Sequence, residues 1–278
     1  MLDPPAPPAR RARGLVSSPT SGARIEVVRV PPPEPLADVV ETFWAGRWDL
    51  RGETPHTTQL LADPCVNLVV EEGDAAGDEV VAARLVGIWT RLWVRELAGR
   101  GRVFGAKLHA GALRAFVDLP AHRVQNRIVP LATCFEGVDG LRQEVLSAAD
   151  AETALAAFAR WLAARRRTCP DASLAVALVA RIRSDPSITS AEALAEATGE
   201  HLRSLQRLFR EQVGASPKWV IRQNRLQEAA LAIEQGRHPT LADLAAELGY
   251  ADQAHLARDF RHAVGTSPSA LRKRLGQD

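Results

Sequence analysis

The spacing of apolar positions changes character along the chain. Between residues 24 and 133 they come in short β-branched or aromatic runs, and after residue 140 they recur at three- and four-residue steps. The first pattern predicts strands and the second predicts amphipathic helices. Residues 24–30 (Arg-Ile-Glu-Val-Val-Arg-Val) predict a strand that stops at Pro31-Pro32-Pro33. Leu36, Val39, Val40 and Phe43 share one helical face, and residues 43–50 resume an extended pattern. Residues 65–70, 80–89 and 102–108 predict further strands, with glycine turns at 73–77 and 99–101. Many short strands with such turns predict a β-rich barrel or sandwich.

The helical half begins with residues 140–167. Leu141, Val145, Leu146, Leu155, Phe158, Ala159 and Leu162 line one stripe, and Arg165-Arg166-Arg167 ends it where cations favour a helix C-terminus. That stripe can pair two protomers or pack on its own domain, the commoner use. Cys169-Pro170-Asp171 predicts a linker. Residues 173–184 follow as a helix with Leu174, Ala177, Leu178, Arg181 and Ile182 on one side, broken by Asp185-Pro186. Thr189 or Ser190 is placed to cap the next helix, with Glu192 in its first turn.

From there the chain says one thing twice. Leu194-Ala195-Glu196-Ala197-Thr198-Gly199 leads to Leu205-Gln206-Arg207-Leu208-Phe209-Arg210 and closes on Val213-Gly214-Ala215-Ser216-Pro217. Leu244-Ala245-Ala246-Glu247-Leu248-Gly249 leads to Leu256-Ala257-Arg258-Asp259-Phe260-Arg261 and closes on Val264-Gly265-Thr266-Ser267-Pro268. Gly199 and Gly249 stand where a helix end favours the left-handed conformation. Two short helices joined by such a turn predict a helix-turn-helix, whose second helix fits the DNA major groove. Residues 218–235 predict a long helix between the copies, with Trp219, Val220, Leu226, Ala229, Ala230 and Ile233 on its apolar face, stopped by Gly236 and Pro239.

The polar faces of the two second helices carry the functional reading. The first presents Arg203, Ser204, Gln206, Arg207 and Arg210; the second presents Gln253, Ala254, His255, Arg258, Arg261 and His262, interrupted by Asp252 and Asp259. Arginine can bond the guanine edge with two donors, and glutamine can pair with adenine. A plain helical repeat with a solvated face is the alternative.

These residues resemble the AraC/XylS transcription regulators, which carry two helix-turn-helix units joined by a long helix. The resemblance rests on the motif from Leu205 to Arg210, Gly214-Ala215-Ser216-Pro217, Arg225-Leu226 with Ala229, and then Ala245 to Tyr250, Asp252-Gln253, Arg258, Phe260, Gly265, Ser267-Pro268 and Arg272. It departs at Leu256 and Leu271, where the family favours Phe and Tyr. The resemblance implies DNA-binding residues at Arg203, Ser204, Gln206, Arg207 and Arg210, and at Ala254, His255, Arg258 and Arg261, with base contacts centred on Arg203, Gln206, Arg207, Ala254, His255 and Arg258. It implies double-stranded DNA as the partner, RNA polymerase if the protein activates, and an effector-sensing or dimerisation domain ahead of the DNA unit. Phe43-Trp44, Trp48-Asp49, Asp63-Pro64 and residues 105–112 are similar to an N-terminal domain in a subgroup of these regulators; where that subgroup reads Phe-Arg-Pro-Gly, this chain has Leu108-His109-Ala110-Gly111. Trp44, Trp48, Trp89 and Trp93 are the candidate lining of an effector pocket, against the commoner use of tryptophan as core.

Composition adds limits. The chain has 278 residues, 46% hydrophobic and 24% charged, which suits a soluble chain of two domains. Its net charge of +2 is too small to identify a nucleic-acid partner, so the electrostatic case is local. No apolar run approaches the roughly 18 residues that a membrane helix needs. Three dispersed cysteines (Cys65, Cys134, Cys169) suit a reducing cytoplasm and offer no close pair for a metal or nucleophile. No catalytic motif is present, so no enzyme, metal or cofactor is expected; a DNA-binding unit fused to an enzymatic N-terminal domain is the alternative. The expected fold is α+β: a disordered Pro/Arg-rich tail over 1–23, a β-rich barrel or sandwich with flanking helices over 24–168, and an all-α double helix-turn-helix domain over 173–278.

Overall fold

The computed structural model describes residues 25–75, 78–237 and 240–274, so the expected tail over 1–23 lies outside the described residues. Six antiparallel strands form the main sheet in the order β1-β2-β7-β4-β5-β8: β1 Ile25–Val30, β2 Val40–Leu50, β4 Asn67–Ala75, β5 Asp78–Val86, β7 Gly99–Leu108 and β8 Ile128–Pro130. A two-stranded ribbon joins β3 (His56–Leu60) to β6 (Trp93–Leu97).

Apolar clusters lie on both faces of the central strands, while the edge strand β1 is largely exposed. Phe43 and Ala45 of β2, Leu68 and Val70 of β4, and Phe104, Ala106 and Leu108 of β7 point into the largest core, shared with helices α1 (Val138–Ser147) and α2 (Ala151–Ala163). The alternate residues Trp48, Leu50, Val69 and Val103 form a second core that takes in Leu97 of the ribbon. Asp150 caps α2 by accepting from the Thr153 amide at 2.7 Å. Leu155, Phe158 and Leu162 of α2 are buried in the sheet core, so this stripe packs on its own domain.

Three local expectations change. The helical face over Leu36, Val39, Val40 and Phe43 is instead a single 3₁₀ turn, Glu34–Leu36, followed after a three-residue turn over 37–39 by β2. All four side chains are buried in the same core, and Val40, Thr42 and Phe43 prefer the pleated backbone that pairs with β7. The glycines over 99–101 lie in a strand rather than a turn. Trp48 lies across Gly101 and Trp44 across Gly105, where an added Cβ would stand 2.3 Å and 2.5 Å from the indole rings. Finally, Pro170 opens α3 (Pro170–Ser184) at the first helical position instead of sitting in a linker. The ribbon strands and β8 have no counterpart in the sequence reading.

Candidate nucleic-acid interface

Each helix-turn-helix is built from its punctuation. Ser190 caps α4 (Ala191–Thr198) by accepting from the Ala193 amide at 3.1 Å, and Gly199 ends it at φ 69°. Helix α5 (Leu202–Leu208) follows and runs into a π-helical turn, Phe209–Val213, closed by Gly214. Ser216 then caps the 18-residue helix α6 (Pro217–Glu234), about 27 Å long at 1.5 Å per residue. The second unit is α7 (Leu241–Glu247), α8 (Gln253–Val264) and the closing helix α9 (Pro268–Arg274).

The long helix divides its buried face between the two units. Val220 and Ile221 enter a core with Leu178, Ile182, Leu194, Leu205, Phe209 and Val213. Leu226, Ala229, Ala232 and Ile233 enter another with Leu244, Tyr250, Leu256, Phe260 and Val264. The apolar side of each second helix is thereby used up, and its polar side is left outside.

On α5 that polar side brings Arg203, Gln206 and Arg207 together, all exposed, with Ser204 half-buried beside them. Arg210 lies in the π-helical turn, where its guanidinium approaches His122 Nε2 at 3.5 Å and Glu211 at 3.5 Å. On α8, Ala254, Arg258 and Arg261 are exposed. His255 is half-buried and meets the Tyr250 ring edge-on at 5.1 Å. Neither acid of this helix interrupts the basic face. Asp252 is the N-cap and accepts from the His255 amide at 2.6 Å, while Asp259 takes two bonds from Arg222 of α6, at 2.9 and 3.1 Å.

The tryptophans do not form one lining. Trp44 and Trp48 sit on β2, donating to Asn67 Oδ1 (3.3 Å) and to the Ala98 carbonyl (3.0 Å). Trp48 borders a cleft of about 620 Å³ with Arg47, Asp49, Glu72, Asp74 and Arg102, and the other three are absent from it. Trp89 forms a single bridge with Asp63, and Trp93 lies in the ribbon opposite Leu60.

A group of charges that the sequence reading did not assemble joins the sheet to the helical half. Lys107 Nζ is 3.0 Å from Glu41 and 2.8 Å from Asp63, and Arg183 of α3 approaches the same two carboxylates at 3.6 and 3.7 Å. Burial alone would raise the Asp63 pKa, but Lys107 and Arg183 outweigh it and hold the carboxyl below the ordinary range. Burial, then Asp63, pushes the neighbouring Cys65 thiol well up, and burial lowers His109. Asp63 and Lys107 both stand in the motifs quoted for the N-terminal domain, which was the available signal. Gln227 donates to the Ala62 carbonyl (3.0 Å) and Gln125 to the Gly214 carbonyl (2.8 Å), so the sheet domain touches α6 and the glycine that closes the first helix-turn-helix.

Residues 194–274 match a family described as a helix-turn-helix domain, and residues 28–130 match a domain of unknown function (DUF6597). An uncharacterized HTH-type transcriptional regulator of Haemophilus influenzae is 33% identical over 103 residues, covering 37% of this chain and 34% of that protein. The HTH-type transcriptional activator RhaR of Pectobacterium carotovorum is 35% identical over 155 residues, 51% of this chain and 54% of that protein. The chain thus spans between a third and about half of the length of these relatives. A probable AraC family transcriptional regulator from Rhodopseudomonas palustris of known structure is 28% identical, with a TM-score of 0.32, over 35% of this chain and 93% of that one. No helix among the described residues is long and apolar enough to cross a membrane. The helix-turn-helix match, the doubled signature and the helix that joins its two copies give residues 194–274 a helix-turn-helix domain similar to that of HTH-type transcriptional regulators.

Proposed function

We propose that the protein is a sequence-specific transcription regulator in which α5 and α8 read two successive major-groove segments of double-stranded DNA. The observation that supports this most is the pair of exposed basic faces held apart by one continuous 18-residue helix. Reading helices set near one DNA turn apart, about 34 Å or 10 base pairs, meet the same side of the duplex. One protomer then reads a direct, non-palindromic pair of short elements. In vitro selection from random duplexes tests this: a bipartite motif is expected, and enrichment without sequence preference would refute it.

In this reading residues 173–278 are the DNA-binding domain, with Arg203, Ser204, Gln206, Arg207 and Arg210 in the first unit and Ala254, His255, Arg258 and Arg261 in the second. The first unit carries most base specificity, because Ala254 has no hydrogen-bonding side chain and His255 is engaged with Tyr250. Arg207→Ala is expected to cost about 1–3 kcal/mol at one base position and to relax preference there. Equal weakening on every sequence would instead mark Arg207 as a phosphate contact. Exchanging Arg203 and Arg207 should alter the selected motif more than exchanging His255 and Arg258.

Residues 24–168 then serve to sense a small molecule or to pair protomers, with Trp48 bordering a cleft on the sheet. RNA polymerase is the further partner if the protein activates, and action on chromosomal DNA places it in the cytoplasm. A ligand bound only by the folded state raises stability, so a thermal-shift screen of metabolites tests sensing. The absence of any shift, with a dimer lost on truncation of this half, would leave pairing as its role.

A further inference from the structure

Arg222 occupies a particular place on the spacer helix. Val220 and Ile221 just before it belong to the core of the first unit, and Leu226, one turn later, opens the core of the second. From that boundary its guanidinium reaches Asp259 on α8 with two bonds, Nε at 2.9 Å and Nη2 at 3.1 Å. Asp259 lies between Arg258, exposed on the reading face, and Phe260, fully buried in the second core.

We propose that Arg222 is a positioning residue that fixes the rotation of the second reading helix on the spacer and so sets which separation of the two DNA elements the protein accepts. Leu256, Phe260 and Val264 bury one face of α8 in the same apolar core as Leu226, Ala229 and Ala232 of the spacer, and such contacts are non-directional. A bidentate, charge-assisted pair adds direction that such contacts lack. Successive helical residues project about 100° apart, so holding Asp259 against the spacer turns Arg258 outward. A neighbouring bond acts on the turn rather than the helix. Arg225 stacks over the Tyr250 ring at 3.9 Å and donates to the Leu248 carbonyl at 2.6 Å, fixing the connection that leads into α8. Arg222 is therefore the grip on the reading helix itself.

The inference rests on the two-segment reading, and one experiment separates the two. The full-length chain, Arg222→Met, Asp259→Asn and the exchanged pair Arg222→Asp/Asp259→Arg are each titrated against duplexes carrying the selected elements, with their separation stepped by single base pairs on either side of the preferred one. Circular dichroism and urea titration confirm that each variant is folded at the assay temperature. The wild-type chain should favour one separation, both single variants should lose about fivefold of that discrimination, and the exchanged pair should regain most of it. Single variants that keep the wild-type spacing profile, or that weaken equally at every separation, would overturn the role of Arg222 while the two-segment reading stands. A wild-type chain indifferent to separation would overturn both.

Discussion

Phe209→Ala lowers the stability of the chain by about 3–5 kcal/mol, and Phe260→Ala does the same for the second unit. Each ring is fully buried in its unit's core, so its truncation leaves a void in close-packed surroundings. Each core also takes residues from the sheet half: Cys65 and Ala110 in the first, Leu61 in the second. The losses should therefore register in the unfolding of the whole chain and not only in that of the helical half. Urea titration followed by circular dichroism measures them. Wild-type midpoints for either variant would mean that the units are packed otherwise than described.

The charges at the junction between the halves give the second large effect. Lys107→Met leaves Glu41 and Asp63 facing each other with Arg183 as the remaining cation, at 3.6 and 3.7 Å. All four side chains are partly buried, so removing one member leaves the others with an incompletely compensated desolvation cost, about 1–3 kcal/mol. The same group makes stability depend on pH. Burial works against the charged form of Asp63, but Lys107 and Arg183 win, so its folded-state pKa lies below its unfolded one. A depressed carboxyl contributes stability above its unfolded pKa, around 4, and that contribution disappears as pH falls through the folded value. Asp63→Asn should thus flatten the loss of stability on acidification, while lowering stability at neutral pH. An acid limb as steep as that of the wild type would assign the pH dependence to other carboxylates.

The sequence and the structure agree best where the determinants are local. Capping serines, left-handed glycines and residues at three- and four-residue steps lie within one turn of what they control, so the cap narrows to Thr189 or Ser190, and Gly199 and the spacer over 218–235 follow from neighbours alone, within one residue of the observed bounds. The sheet was less legible because its central strands carry apolar residues on both faces. Leu36, Val39, Val40 and Phe43 follow a helical step, and only the pairing of β2 with β7 draws Val40 and Phe43 into a strand. The ribbon strand His56–Leu60 carries three polar residues between its ends and shows no apolar run at all. The junction charges come from four separated segments, and no spacing rule connects Glu41, Asp63, Lys107 and Arg183.

On the reading face, Asp252 could have been recognised as a cap from its position at the head of a helix. Asp259 could not, since its partner stands on another helix. Their placement changes the electrostatic picture of the second unit: one acid is spent on the helix end and the other on Arg222, so Arg258 and Arg261 face outward without an opposing acid from α8. In the proposed two-reader account, the second unit offers fewer base-reading groups than the first and uses its cations on the DNA backbone.

Hydroxyl-radical footprinting of the full-length chain on its selected site, at a protein concentration where a single protomer is bound, tests the two-reader account most directly. Two protected segments on one face of the duplex, centred about 10 base pairs apart, are the predicted result. Protection of one segment by one protomer, with the second appearing only when another protomer binds, would contradict it.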